Sequence, residues 1–162
     1  MLYWLEMPNE SFEALAASMV GLPLSHVWRG YGSAIFIEIG DLTQRVIRDG
    51  SPGQPEGELS LGVEWSWRIE DKRSIICGSW SEEELWESSL DLLRNDKIIG
   101  LELFGALPEI LIHTEQGNRF ASFSTTEGQP QWYLVDRRSE PVRWFTVRDG
   151  QLHIGDGTEL VV

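Results

Sequence analysis

The strongest constraint on this chain is an alternation of apolar and polar residues that occurs twice, over 35–77 and over 110–147. The first stretch carries Ile35-Phe36-Ile37-Glu38-Ile39, then Trp65-Ser66-Trp67-Arg68-Ile69, then Ser74-Ile75-Ile76-Cys77. The second carries Ile110-Leu111-Ile112-His113, then Gln131-Trp132-Tyr133-Leu134-Val135, then Arg143-Trp144-Phe145-Thr146-Val147. Successive side chains of a strand point to opposite faces, so such runs build half-buried strands rather than helices. The pattern predicts a single α+β domain over 1–162, made of two similar β halves, 25–80 and 97–155, joined by a helix over 81–94. Polar turns, Glu70-Asp71-Lys72-Arg73 and Asp149-Gly150 among them, connect neighbouring runs and point to mainly antiparallel pairing. Two such halves suit one strongly curved or barrel-like sheet, or a sandwich, and the alternation does not choose between them.

Two helices are expected. The first is short and N-terminal, over 9–20, with Asn9 as its cap, Phe12, Leu15, Ala16 and Met19 on one face, and Gly21 as the left-handed residue that ends it. The second starts at Ser81-Glu82-Glu83-Glu84, where the spacing predicts a capping box between Ser81 and Glu84. An amphipathic stripe through Leu85, Trp86, Ser89, Leu90, Leu92 and Leu93 follows it. Leu59–Ile69 reads as one strand, placing Trp65, Trp67 and Ile69 on its buried face and Glu64, Ser66 and Arg68 on the other. Residues 49–57 are dense in Gly, Pro and polar turn formers and read as a long loop.

Composition enters through tryptophan and charge. Eight Trp in 162 residues is a high count, and an indole is large, apolar and carries one donor that needs a partner when buried. Most should fill the core, while a few could line a groove or an interface, where Trp is enriched. With 13 Lys+Arg against 26 Asp+Glu, the formal net charge is −13. That field repels nucleic-acid phosphates and anionic membranes, and it suits a basic protein partner. The opening residues lack a basic region followed by an apolar core, and no run approaches the ~20 apolar residues of a membrane span. A cytoplasmic location is therefore expected.

No catalytic signature, metal site or cofactor motif stands out. His26, His113 and His153 are scattered, and a two-ligand fragment such as His113 with Glu115 falls short of a zinc centre. Gly30-Tyr31-Gly32 runs into a strand instead of a helix, which excludes a dinucleotide loop. Glu64 and Glu70 flank a Trp-containing strand but stand ~20 Å apart if that strand is extended, too far for paired glycosidase acids. Cys77 sits in an apolar run and behaves as a small hydrophobe. In Trp28-Arg29, Trp67-Arg68 and Arg143-Trp144 the neighbours face opposite sides of a strand, so contact within a pair is not expected, while cross-strand cation–π contact remains open.

The succession Trp28-Arg29-Gly30-Tyr31-Gly32-Ser33, Ile35-Phe36-Ile37-Glu38-Ile39-Gly40, a Trp67-Arg68 strand and an acidic helix resembles small uncharacterised bacterial proteins. Some of these are similar to the immunity proteins that accompany secreted toxins. The resemblance implies a non-catalytic cytoplasmic binding protein that presents an acidic surface to a basic protein partner. The residues themselves leave two alternatives open: a small-ligand-binding β domain with a Trp-lined pocket, and an enzyme of unrecognised type. The binding candidates are Trp28, Arg29, Trp65 and Trp67, together with Glu82, Glu83, Glu84 and Glu87.

Overall fold

The computed structural model describes residues 5–6, 9–128 and 131–156, with side chains from Ser11 onward. Among these described residues, twelve strands, two α-helices and one 3₁₀ turn follow in the order β1 (Leu5–Glu6), α1 (Asn9–Met19), β2 (Leu24–Arg29), β3 (Ile35–Ile39), β4 (Leu59–Val63), β5 (Trp67–Glu70), β6 (Ile75–Gly78), the 3₁₀ turn Glu83–Leu85, α2 (Trp86–Asp91), β7 (Ile98–Phe104), β8 (Glu109–Thr114), β9 (Arg119–Ser122), β10 (Trp132–Asp136), β11 (Arg143–Arg148) and β12 (Gln151–Gly155). The α+β class and the antiparallel pairing match the sequence reading.

The strands do not form one sheet from two halves. A seven-stranded sheet runs β1-β12-β11-β10-β4-β3-β2, and a five-stranded sheet runs β6-β5-β9-β8-β7. The five-stranded sheet is thus built from the middle of the chain, and the seven-stranded sheet from the two flanks. Alternation fixes which face of a strand is apolar; it does not fix which strand lies beside it.

Each sheet carries a continuous apolar row across its strands. In the larger sheet Val27, Ile37, Leu61, Leu134, Phe145 and Ile154 stand in register from β2 to β12. In the smaller one Cys77, Ile69, Phe120, Ile112 and Leu101 do the same. Both rows belong to a single hydrophobic cluster, with half-buried Ile154 packed against it, and that cluster also takes Phe12, Leu15 and Met19 from α1 and Trp86 and Leu90 from α2.

Short-range rules hold where they concern the backbone alone. Gly21 takes φ +90° after α1, as a left-handed helix-ending residue should. Asp149 and Gly150, at φ +50° and +74°, make the two-residue turn between paired Arg148 and Gln151. The cap expected from Asn9 rests on a side chain outside the described residues. Segment 43–56 folds back on itself through bridges between Thr43 and Glu56 and between Val46 and Pro52, and the Gln54 amide oxygen lies 2.8 Å from His26 Nε2.

Two side-chain expectations fail. Leu59–Ile69 is not one strand: β4 belongs to the larger sheet and β5 to the smaller, and the chain crosses between them at Glu64–Ser66. The period-two rule lapses at that break, so Trp67 is fully buried while Trp65 is 41% exposed and Ser66 is buried. Ser81 does not cap a helix either. Its hydroxyl accepts from Gly78 N at 2.9 Å, closing the turn after β6, and the 3₁₀ turn begins behind Glu82 with no side-chain cap. The helical segment is correspondingly short, a 3₁₀ turn over Glu83–Leu85 followed by α2 over Trp86–Asp91.

Trp67 lies among Trp86, with ring centroids 5.1 Å apart in an edge arrangement, and Phe120 at 6.1 Å. Truncating it leaves a void that its strand neighbours cannot close. Trp67→Ala should therefore lower unfolding stability by about 3–5 kcal/mol, read from urea denaturation of the two proteins.

Candidate functional site

The acidic helical segment comes with built-in countercharges. The Arg29 guanidinium stacks over the Trp86 ring at 4.2 Å and reaches Glu83 at 3.6 Å. It does not stack on its neighbour Trp28, in keeping with the opposed faces of adjacent strand residues. Arg94 donates from Nε and Nη2 to the Val27 carbonyl, at 3.1 and 2.8 Å, and pairs with Glu87 at 2.6 Å and Asp91 at 3.4 Å. The two arginines thus fasten the segment to edge strand β2 and offset part of its negative field. Glu82 and Glu84 are exposed and make no ion pair among the described residues.

The face of the larger sheet opposite the core carries two further rows. Trp28, Phe36, Gly62 and Tyr133 stand side by side from β2 to β10. Trp28 and Phe36 stack with centroids 4.4 Å apart, and the Tyr133 ring lies over Gly62, so close that any Cβ there would collide with it. The neighbouring row places His26, Glu38, Ser60, Val135 and Trp144 together. Ser60 Oγ contacts both Glu38 carboxylate oxygens, at 2.8 and 2.6 Å, and accepts from Arg137 Nη1 at 2.7 Å. Burial drives the Glu38 carboxyl above its ordinary pKa, against the opposing pull of Ser60 and Arg137. Tyr133 is pushed up to about 12, by burial first and then by the charges of Glu64 and Glu38. This strip is well packed and offers a surface rather than a recess.

A recess lies where the chain crosses between the sheets. A cleft of about 390 Å³ opens between the indoles of Trp65 and Trp80. Among the described residues its remaining lining is Ser33, Ser66, Ser79, Thr125 and Thr126, all hydroxyl-bearing. Trp65 sits in the crossover, and Trp80, 89% exposed, sits on the turn after β6. The loops that carry these residues are tied to one another. Ser33 Oγ donates to the carbonyls of Glu64 and Trp65 at 3.3 and 3.1 Å, and the Trp67 Nε1 donates to the Ser33 carbonyl at 2.7 Å. Ser79 Oγ accepts from Trp67 N at 3.3 Å, while Ser66 Oγ and Thr125 Oγ1 pair at 3.2 Å.

Of the eight candidates read from the sequence, the structure brings Arg29 and Glu83 together and pairs Glu87 with Arg94. Trp65 alone of the eight lines the cleft. Trp67 is enclosed and has no free face for a ligand, and Trp28 is half-buried in its stack with Phe36. Sequence reasoning missed Trp80 and the hydroxyl residues. The run 74–80 reads as a strand that takes in Trp80, but β6 stops at Gly78, and the Gly78-Ser79 turn sequence was the available signal for an exposed indole after it.

Among the described residues no cluster of three or more His, Cys, Asp or Glu could hold a metal ion, and no helix is long and apolar enough to cross a membrane. His113 meets Glu102 at 3.1 Å rather than Glu115. The chain matches no protein-family model, no curated protein and no solved structure.

Two buried carboxylates respond to pH in opposite directions. Asp136 is disfavoured as an anion by burial, but hydrogen bonds from Arg138 and Arg143 outweigh this and hold its pKa below the ordinary value. It stabilises the fold above the unfolded-state pKa, and that contribution is lost as pH falls through the folded one. Glu38, with its pKa raised, does the reverse: its ionisation removes stability as pH rises through the window above the ordinary ~4.3 of a free Glu. Glu38→Gln should therefore raise the urea midpoint at neutral pH, and the gain over wild type should vanish below that window.

Proposed function

We propose that this protein is a non-catalytic binding protein whose recognition site is the Trp65–Trp80 cleft. The observation that carries the reading is the exposure of two indoles, at 41% and 89%, in the lining of one concave site. An indole left in water keeps a large apolar face unsatisfied, and ligand sites are apolar recesses with a few placed polar groups. The cleft has that composition, and its volume fits a small molecule or the end of a larger one.

The alternative of a basic protein partner on the acidic helical segment draws less support. Arg29 and Arg94 sit among its carboxylates, and exposed charge pairs of this kind hold little free energy for a partner. Among the described residues, Glu82 and Glu84 are the carboxylates of the segment left without an ion pair.

Small fragments concentrate at recognition sites, which makes the reading testable before the ligand is identified. A fragment set divided between aromatic and polyhydroxylated compounds, followed by NMR of the indole Nε1–H signals, should move the Trp65 and Trp80 signals above all others. Trp80→Ala should abolish those shifts and change stability by no more than about 0.5 kcal/mol, because the side chain is exposed. Fragments that instead gathered around Glu82 and Glu84, or nowhere, would remove the cleft as the site.

A further inference from the structure

The chemistry of the cleft narrows its ligand. Resting on the binding-site reading above, we infer that the cleft takes a neutral saccharide, with sugar rings stacked on Trp65 and Trp80 and ring hydroxyls bonded to the serine and threonine lining.

Three observations converge on this class. The first is the pairing of two exposed aromatic faces with five hydroxyl side chains, which together make up the lining among the described residues. A sugar ring presents C–H groups on its faces and hydroxyls around its edge, and that is the complement of indole walls with a hydroxyl rim. A purely apolar ligand would leave the remaining donor and acceptor capacity of those hydroxyls unused.

The second is the polarity already fixed in those hydroxyls. Ser33 Oγ directs its proton to the Glu64 and Trp65 carbonyls, so it faces the cleft as an acceptor. Thr126 Oγ1 likewise donates to Glu127 at 3.2 Å. Ser79 Oγ accepts from the Trp67 amide, which leaves its own proton to donate. The rim therefore offers both acceptors and a donor, and a sugar hydroxyl, being donor and acceptor at once, can satisfy either kind. A proline-rich peptide, the other ligand that favours aromatic grooves, has carbonyl acceptors but no amide proton at proline, and it leaves Ser33 and Thr126 unmet.

The third is charge. Among the described residues no Lys, Arg or His lines the cleft, Glu64 and Glu127 adjoin lining residues in sequence, and the whole chain carries −13. An anionic ligand such as a nucleotide or a sugar phosphate would enter against that field with no cation to receive it.

The test is an indole NMR titration of wild type, Trp80→Ala and Thr125→Ala with a panel of neutral disaccharides, α- and β-linked, built from glucose, galactose, mannose and N-acetylglucosamine, each to about 50 mM. At least one should shift the Trp65 and Trp80 Nε1–H signals to saturation. Trp80→Ala should weaken that affinity about tenfold or more and Thr125→Ala by a smaller factor, with unchanged urea midpoints certifying both folds. The uronic-acid counterpart of the best disaccharide should bind more weakly, and the gap should narrow as salt is added. If every saccharide leaves both indoles unmoved while the fragments of the preceding test still bind there, the saccharide assignment falls and the cleft stands. If an oligoproline peptide saturates the site and the saccharides do not, the ligand is a peptide and the inference is overturned. If no probe of any class moves either indole, both the inference and the reading beneath it fail.

Discussion

One buried indole organises the region where the two sheets meet. Trp67 occupies the first position of β5, immediately after the chain leaves the larger sheet. Its ring joins the core between Trp86 and Phe120, its Nε1 binds the Ser33 carbonyl, its amide donates to Ser79 Oγ, and its carbonyl accepts from Ser79 N at 3.0 Å. The loop between β2 and β3 and the turn after β6 are thus both referred to one residue, the first through its indole N–H and the second through its backbone. A buried indole must place its N–H, and here that requirement is met by a loop from the other sheet. Because Ser33, Ser66 and Ser79 line the cleft, the anchor that joins the sheets also sets the cleft's rim.

A second set of constraints comes from arginine acting on backbone as well as on carboxylates. Arg94 grips the Val27 carbonyl of edge strand β2, Arg137 binds Gly57 O at 3.1 Å together with Ser60, and Arg119 donates to Asp71 O at 3.0 Å. Arg138 and Arg143 converge on buried Asp136, and Arg138 also reaches Ser18 on α1. These contacts use several donors of one planar fork at once, a geometry that a lysine ammonium does not reproduce. They tie loops and edges to the sheets in a chain whose excess of acid would otherwise work against compactness. The same usage explains why the acidic helical segment is less free to recruit a cation than its sequence suggests: part of its charge is engaged in holding the segment down.

What the sequence disclosed was governed by range. The Asp149-Gly150 turn and the helix end at Gly21 depend on backbone dihedrals of one or two residues, and both are as read. The burial of Trp67 and Ile69 follows from alternation within a strand. Trp65 departs from its expected place because alternation does not carry through a point where the strand ends, and only the pairing of β4 with β10 and of β5 with β9 reveals that end. Ser81 departs because its hydroxyl has two competing uses, and the Ser-x-x-Glu spacing describes only one of them. The nesting of one sheet's strands inside the other's is a choice of partners across long separations, and each strand's own pattern is silent about it.

The fate of Ser81 bears on how a ligand would be held. A capping serine is worth about 0.5–2 kcal/mol to a helix, and this segment forgoes it. Instead Ser81 Oγ accepts from Gly78 N, Ser81 N donates to the Gly78 carbonyl at 2.9 Å, and the Ser81 carbonyl accepts from Trp86 Nε1 at 3.1 Å. Trp80 lies inside that closed turn with its ring in solvent. An exposed side chain on a loose loop would have to be ordered on binding, which costs affinity, whereas a fixed turn has met that cost during folding. The Trp65 backbone is held in parallel by the Ser33 hydroxyl, which donates to its carbonyl at 3.1 Å. The chain has given up a capped helix and gained two indoles carried on hydrogen-bonded backbone, so a ligand stacked in the proposed cleft would face a smaller ordering cost there than on loose loops.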